Sequence, residues 1–322
     1  MNPDHDQVAP QSGNVTKIAL TSRSHRTEKR WWDGFAVDGI RWRRFIDWAV
    51  MHVPAAFHPV LLWIGSVVFF FVAAPARESV VKNLNAIFPH SRRLGNYFRT
   101  LLVFANFGWM LADSASHRLR RAPFVFELQG EEFLDRLGAA EGAIVLTAHM
   151  GNYDLGAAMF DKRFHRQLRI VRASEPDSLS AQHMAVAFQQ SGNVKVDYSD
   201  NGTALAFDLL NALRAGEIIS IQGDRVVNEL ARAPVLFFGR NVTFPTGPFV
   251  LSLVSGAPIF PLFVVRTGRR KYKVVAYEPI VVNQNVESRD QQISHAMEQW
   301  SAVLEEIVRR NWSQWYGFKP LL

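Results

Sequence analysis

The sequence predicts an α/β fold, a mixed, mostly parallel sheet flanked by helices, preceded by an N-terminal helical segment suited to a membrane surface. Three observations carry this expectation. Past residue 122, short β-rich runs alternate with helical ones, as strands and their crossover helices do in open sheets. Two of those runs, Ala143 to Leu146 and Ile259 to Val265, are almost continuously apolar, which suits strands covered on both faces. Upstream, the stretch from Trp48 to Ala76 contains no Asp, Glu, Lys or Arg.

With 322 residues and 48% hydrophobic content, the chain can fill one large core or two small ones. Its 36 Lys and Arg outnumber 29 Asp and Glu, and the formal charge of +7 favours anionic partners such as phospholipid headgroups or an acidic carrier protein. Nucleic acid is not expected, because no basic stretch interleaved with aromatics forms a recognisable binding module. The absence of cysteine excludes disulfides, thiolate zinc sites and a cysteine acyl-enzyme.

Residues 1 to 30 are polar, with Pro3, Pro10 and Gly13 among many Ser, Thr and Asn, and are expected to form a disordered tail. They do not read as a signal peptide, since the first apolar run begins late and lacks a cleavage pattern behind a short basic start. Residues 31 to 121 read as a basic and apolar helical region for membrane association. Its core, Val60 to Val72, lies between Pro54 and Pro59 on one side and Pro75 on the other. A helix from Val60 to Ala74 is about 22 Å long, short of a bilayer core of about 30 Å. Arg41, Arg43 and Arg44 precede it and Arg77, Lys82, Arg92, Arg93 and Arg99 follow, whereas a spanning helix concentrates basic residues on its cytoplasmic side. Re-entrant or in-plane insertion fits better than a clean span. A buried core helix is the plain alternative, and a span stays open if Pro59 and its predecessors join the helix. Arg77 to Arg121 reads as surface helices.

Residues 122 to 322 form the α/β domain. The expected strands are Phe124 to Leu128, Ala143 to Ala148, Leu168 to Arg172, Val194 to Tyr198, Glu217 to Gln222, Val235 to Phe238, Ile259 to Arg266 and Tyr272 to Tyr277. The clearest helices are Thr203 to Ala215, with Gly216 placed to stop it, and Glu287 to Arg310. Arg266, Arg269, Arg270, Lys271 and Lys273 crowd a turn at Thr267-Gly268, read as a solvated hairpin, with a docking patch as the alternative. The aromatic tail from Trp300 to Phe318 suits either a membrane interface or core packing.

The chemistry is expected where the buried strand Ala143 to Ala148 runs into His149-Met150-Gly151-Asn152-Tyr153-Asp154. Ligands bind at the carboxyl ends of strands in such sheets, Asn152 is a good helix cap, and its neighbourhood offers backbone N–H groups. His149 can take a proton from a hydroxyl, and a carboxylate on its other nitrogen would fix the tautomer; Asp154 is the natural candidate. The pair needs the bend at Gly151, because five residues along an ideal helix point two side chains apart. Standing alone, a capping aspartate beside a satisfied histidine explains the same residues. Asp224 and Arg225 follow another strand toward the same edge, with a surface ion pair as their plain alternative. Walker loops, nucleophile elbows, His-Glu-x-x-His and dinucleotide fingerprints are missing from the sequence, and neither a metal nor a cofactor is implied.

His149 and Asp154, followed in order by Gly223-Asp224-Arg225, Phe237-Phe238-Gly239-Arg240, Gly247 and Gly256-Ala257-Pro258-Ile259-Phe260-Pro261, resemble the lipid A biosynthesis acyltransferases, a branch of the lysophospholipid and glycerol-phosphate acyltransferase superfamily. The resemblance runs over residues 77 to 312, with Asn83-Leu84 and Phe88-Pro89 like the family's early segment. It implies a membrane-associated enzyme at the cytoplasmic face of the inner membrane, taking an acyl chain from acyl carrier protein or coenzyme A to a lipid or glycolipid hydroxyl. His149 would be the base and Asp154 its partner. Asp224 and Arg225 would line the acceptor or phosphate end, and Asn152, Gly239, Arg240, Gly247 and Pro261 would line or shape the substrate site. Two departures bear on the acceptor: the lipid A enzymes usually have Glu where this chain has Asp154, and Val194 to Asp200 lacks an expected arginine. The competing function is a catalytically idle, membrane-binding accessory with the same fold.

Overall fold

In the computed structural model the described residues are 40–119, 123–173, 193–199, 202–226, 231–282, 288–319 and 321–322. The expected tail at residues 1 to 30 lies outside them. Four helices come first, α1 (Ile40–His52), α2 (His58–Val72), α3 (Ala74–Ile87) and α4 (Arg93–Arg118). There follow β1 (Val125–Gln129), α5 (Glu131–Ala139), β2 (Ala143–Thr147), α6 (Tyr153–Phe164), β3 (Leu168–Arg172), β4 (Val194–Tyr198), α7 (Gly202–Arg214) and β5 (Ile218–Gln222). A hairpin of β6 (Arg232–Phe237) and β7 (Arg240–Pro245) leads to α8 (Gly247–Ser255), β8 (Ile259–Gly268), β9 (Lys271–Ala276), α9 (Arg289–Asn311) and a 3₁₀ turn, Trp312–Gln314.

Seven strands form one sheet in the order β1-β9-β8-β2-β5-β3-β4, and every neighbouring pair is parallel except β8 with β9. The sheet is mixed and mostly parallel, as the apolar runs require. β2 lies at its centre with all five residues buried. Its side chains alternate between two cores, Ile144 and Leu146 facing α7, α8 and α9 while Ala143 and Val145 face α5 and α6. Each fully buried Leu or Ile there contributes roughly 1.5–3 kcal/mol relative to exposure. Trp300 of α9 stacks on Phe263 at 5.8 Å and donates its indole N–H to the Gly223 carbonyl at 3.2 Å, fixing the end of β5.

Two expectations change, and one open alternative is decided. The expected strand Val235 to Phe238 is half of a separate two-stranded antiparallel hairpin whose second strand, β7, the sequence did not announce. Helix α4 is no surface helix: Val103, Phe104, Ala105 and Met110 are buried, and so are Thr100, Asp113 and Ser114. Its polar residues gave it an exposed look, yet each has a partner: Thr100 on the Asn96 carbonyl, Asp113 on the Tyr272 hydroxyl and Ser114 on Asn152. The tail aromatics Trp300, Trp315 and Tyr316 are core residues, at most 4% exposed.

Helix α2 takes Pro59 into its first turn and ends at Val72, after which α3 turns away by 94°. Among the described residues no single helix is long and apolar enough to cross a membrane, although α2 and α3 together make a bent pair that passes by length and composition. Only Ser66 of α2 is buried, so the alternative of a core helix does not hold. The basic turn is the β8–β9 hairpin, and Arg269 reaches the Ala55 carbonyl at 3.1 Å in the loop between α1 and α2.

Candidate active site

Strands β2 and β5 are parallel neighbours, and their register sets Thr147 beside Gln222. The ladder continues with the Gly223 N–H donating to the Thr147 carbonyl at 2.8 Å. Two residues past the paired ends, His149 and Asp224 therefore emerge side by side. His149 Nδ1 lies 2.7 Å from Asp224 Oδ1, which also accepts the His149 backbone N–H at 3.2 Å. The other oxygen, Oδ2, accepts the Trp315 indole N–H at 3.1 Å. Asp224 is 1% exposed, so this is not the surface ion pair considered above.

Asp154 does not hold the imidazole. It sits in the first turn of α6 with its carboxylate on Arg172 Nη1 at 3.4 Å. The expected bend exists, but it starts a helix whose second residue points over the end of β3, while the adjacent strand delivers a carboxylate at the height of His149.

The turn from Ala148 to Asn152 is built around Gly151, whose φ of +59° is left-handed; a Cβ there would stand 1.9 Å from the Val264 carbonyl oxygen. Gly151→Ala is expected to destabilise the protein by about 2 kcal/mol or more. A melting temperature in detergent equal to that of the unaltered chain would refute this account of the turn. Asn152, fully buried, caps α6 by accepting the Leu155 N–H at 3.1 Å; it also accepts the Ser114 hydroxyl at 3.0 Å and donates to the Met110 carbonyl.

The turn's amides are not available to a ligand, contrary to expectation. That of His149 goes to Asp224, Met150 to Ala148, Gly151 to the Gln314 carbonyl and Asn152 to Val264. An oxyanion would have to find its donors elsewhere at this edge. Arg225 lies 3.7 Å from Asp224 Oδ2 and donates to the Tyr316 carbonyl at 2.8 Å. Arg172 stands over the Tyr153 ring at 5.8 Å.

Burial pulls the His149 imidazole below its ordinary value; the Asp224 carboxylate opposes that pull, and Arg225 and Arg172 reinforce it. The imidazole is thus neutral near pH 7. Burial alone would raise Asp224, but His149, Arg225 and the Trp315 hydrogen bond outweigh it and hold the carboxyl well below the usual range. A carboxylate that stays ionised beside a neutral imidazole fixes the N–H on Nδ1 and leaves Nε2 to accept a proton.

His149, Asp224, Arg225 and Asn152 thus come together. Pro261 is buried in β8, paired with Leu146. Gly239 lies in the β6–β7 turn with Phe238, both left-handed at φ +71° and +49°, the geometry of a tight hairpin. That turn packs on α9 through Glu305 and Arg309, and Arg240 is exposed. The hairpin supports the site from behind, since Phe237 meets the Trp315 ring edge-on at 5.9 Å. Gly247 begins α8, with open space where a Cβ would stand. Sequence reasoning missed Arg172, Tyr153 and Trp315.

Between α6 and the sheet lies a small apolar pocket, lined by Val145, Met159, Phe160 and Ile170 and, near the strand ends, by Thr147 and Arg172.

The fold and this geometry define an α/β protein with a histidine held on a buried carboxylate at the carboxyl ends of its central strands. Residues 41–322 match the bacterial lipid A biosynthesis acyltransferase family, and the chain belongs to that family. It is also similar to the phosphatidylinositol mannoside acyltransferase of Mycobacterium tuberculosis (strain ATCC 25618 / H37Rv), 25% identical over 142 residues, 44% of this chain and 44% of the relative. The protein of the same description from Mycobacterium tuberculosis (strain CDC 1551 / Oshkosh) matches equally. The matched segment spans less than half the length of either relative.

Proposed function

We propose that this protein is an O-acyltransferase that moves a fatty acyl group from a thioester, on acyl carrier protein or coenzyme A, to a hydroxyl of a lipid or glycolipid. The observation behind this reading, beside family membership, is the 2.7 Å contact of His149 Nδ1 with a buried carboxylate. His149 Nε2 takes the acceptor's proton as its oxygen attacks the thioester carbonyl carbon. The tetrahedral oxyanion faces the Arg225 guanidinium, since the turn's amides are occupied. Collapse breaks the carbon–sulfur bond, and the imidazolium returns its proton to the departing thiolate, with no acyl-enzyme. The apolar pocket beside α6, which Thr147 and Arg172 line near the strand ends, rather than a groove along α2, is where the acyl chain would lie. Asn152 holds the turn that carries His149.

The test is transfer of label from radiolabelled palmitoyl-coenzyme A and palmitoyl-acyl carrier protein into phosphatidylinositol mannosides and a bacterial lipid extract. The expected product is a base-labile lipid ester; no labelled lipid from either donor would overturn the reading.

In this reading residues 31 to 121 seat the enzyme on the cytoplasmic face of the inner membrane, ahead of a catalytic domain from residue 122. The support is an apolar face on α1 and α2, where Phe45, Trp48, Ile64, Val68 and Phe71 are more than half exposed, with Arg41, Arg44 and Arg93 nearby in the chain. In-plane insertion fits, because α2 has 15 residues and the chain bends after it. The double variant Ile64→Asp, Val68→Asp should fold, since both side chains face outward, and bind vesicles containing anionic lipid at least about tenfold more weakly. Unaltered flotation with those vesicles would exclude this seat.

A further inference from the structure

The segment from Trp312 to Leu322 does more than end the described fold. Its Gln314 carbonyl accepts the Gly151 N–H at 2.9 Å, and its Tyr316 N–H donates to the His149 carbonyl at 2.8 Å, so it pairs antiparallel with the turn that carries the base. The Gln314 side chain clamps Arg266 from both sides, accepting its N–H at 2.7 Å and donating to its carbonyl at 2.9 Å. Downstream, the buried Asn83 side chain donates to the Gly317 carbonyl at 2.9 Å and accepts the N–H groups of Leu321 and Leu322 at 3.2 and 3.1 Å. The strap is held at both ends, and between them the Trp315 indole, 3% exposed, is aimed at Asp224.

We infer that Trp315 is a positioning residue for the base: its N–H holds Asp224 Oδ2 so that Oδ1 faces His149 Nδ1. This rests on the proposed role of His149. The argument is geometric. Asp224 Oδ1 is committed to His149 twice over, and a carboxylate with one oxygen engaged still rotates about its terminal torsion, which is soft. A donor on Oδ2 stops that rotation. Arg225 does not replace it, because it lies 3.7 Å away and directs Nη2 to the Tyr316 carbonyl. The other groups facing His149 are Arg225 beside Asp224 and Arg172 at the end of β3; Tyr153 and Asp154 lie on α6, and Tyr316 on the strap, near Arg266 and Asp113.

The experiment is a pH titration of the full chain labelled with ¹³C at histidine Cε1, with the His149 resonance assigned by its loss in His149→Gln. Trp315→Phe removes the donor and keeps an aromatic ring. Its His149 midpoint is expected to fall by about half a pH unit or more, since a carboxylate free to turn no longer keeps Oδ1 on Nδ1 and opposes the pull of burial less; a rise would mean that the indole only withdraws charge and would overturn the inference. Acyl transfer should fall roughly 10- to 100-fold in kcat with KM within about twofold, the scale at which outer partners of a site act. A folded variant whose His149 titrates as in the unaltered chain overturns the inference, whatever its rate. If Trp315→Phe does not fold, 3-benzothienylalanine at 315, which keeps the two-ring shape and replaces only the N–H, takes its place with the same expected shift. Because the titration needs no turnover, an absence of acyl transfer would sink the proposed function while this test still decides the role of Trp315.

Discussion

Acyl transfer by His149→Ala is expected to fall by about 10²- to 10⁴-fold, the usual worth of a positioned acid or base. The loss should appear in kcat, because the imidazole acts on the proton only as the acceptor oxygen attacks, and donor binding in the apolar pocket does not involve it. The measurement is label transfer from acyl thioester to extracted lipid, at equal vesicle-bound protein. In the unaltered chain, kcat/KM should climb through an acid limb below pH 6.5, since burial holds His149 below its ordinary value. Undiminished transfer by His149→Ala would remove the mechanism, and an inert wild type that still binds vesicles would favour the accessory reading.

The second large effect falls on Asp224. Asp224→Asn keeps the side chain's shape but presents an amide that can donate to Nδ1, stabilising the tautomer with its proton on Nε2, which cannot act as the base. The expected loss is on the order of 10³- to 10⁴-fold in kcat. The acid limb should move to lower pH, because the carboxylate is what opposes the downward pull of burial on His149. Asp154→Asn, made in parallel, should lose far less, as Asp154 meets Arg172 and not the imidazole. If Asp154→Asn proves as damaging as Asp224→Asn, the assignment of the partner falls.

The contrast between these aspartates shows how far the sequence could be read. Every strand of the main sheet was expected at about its place; β2 and β8 stand out as near-continuous apolar runs because both their faces are buried, whereas β1, β3 and β4, less buried, show only as short β-rich segments. The histidine of the candidate site was visible too, as the first ionisable residue past the central strand. Its partner was not, although the signal was there in part: Thr147-Ala148-His149 and Gln222-Gly223-Asp224 are the same distance past two buried runs. What was missing is which strands are neighbours, a property of packing among all of them. Asp154 was chosen because it is close in the chain, and chain proximity says little at the edge of a parallel sheet, where each strand's end is a separate visit. Arg172 and Trp315 were hidden for the same reason. Helix α4 was misjudged on different grounds, since Asp113 and Ser114 look solvated until Tyr272 and Asn152 are seen to satisfy them.

The hold of Asn83 on residues 317 to 322 bears on the order of assembly during synthesis. Asn83 and Gly317 are 234 residues apart in the chain. Contacts that distant cannot form until the later residue has left the ribosome, and at about 5–20 residues per second His149 waits roughly ten to thirty seconds for Trp315. The helices before the sheet emerge first, with an apolar face that no later strand covers. In the proposed seat they meet lipid while the sheet is still being made, so the nascent chain is anchored before it is competent. Long-range closure of this kind is slow, and in that seat His149 and Asp224 acquire their geometry only when the strap docks, on a chain that lipid already holds.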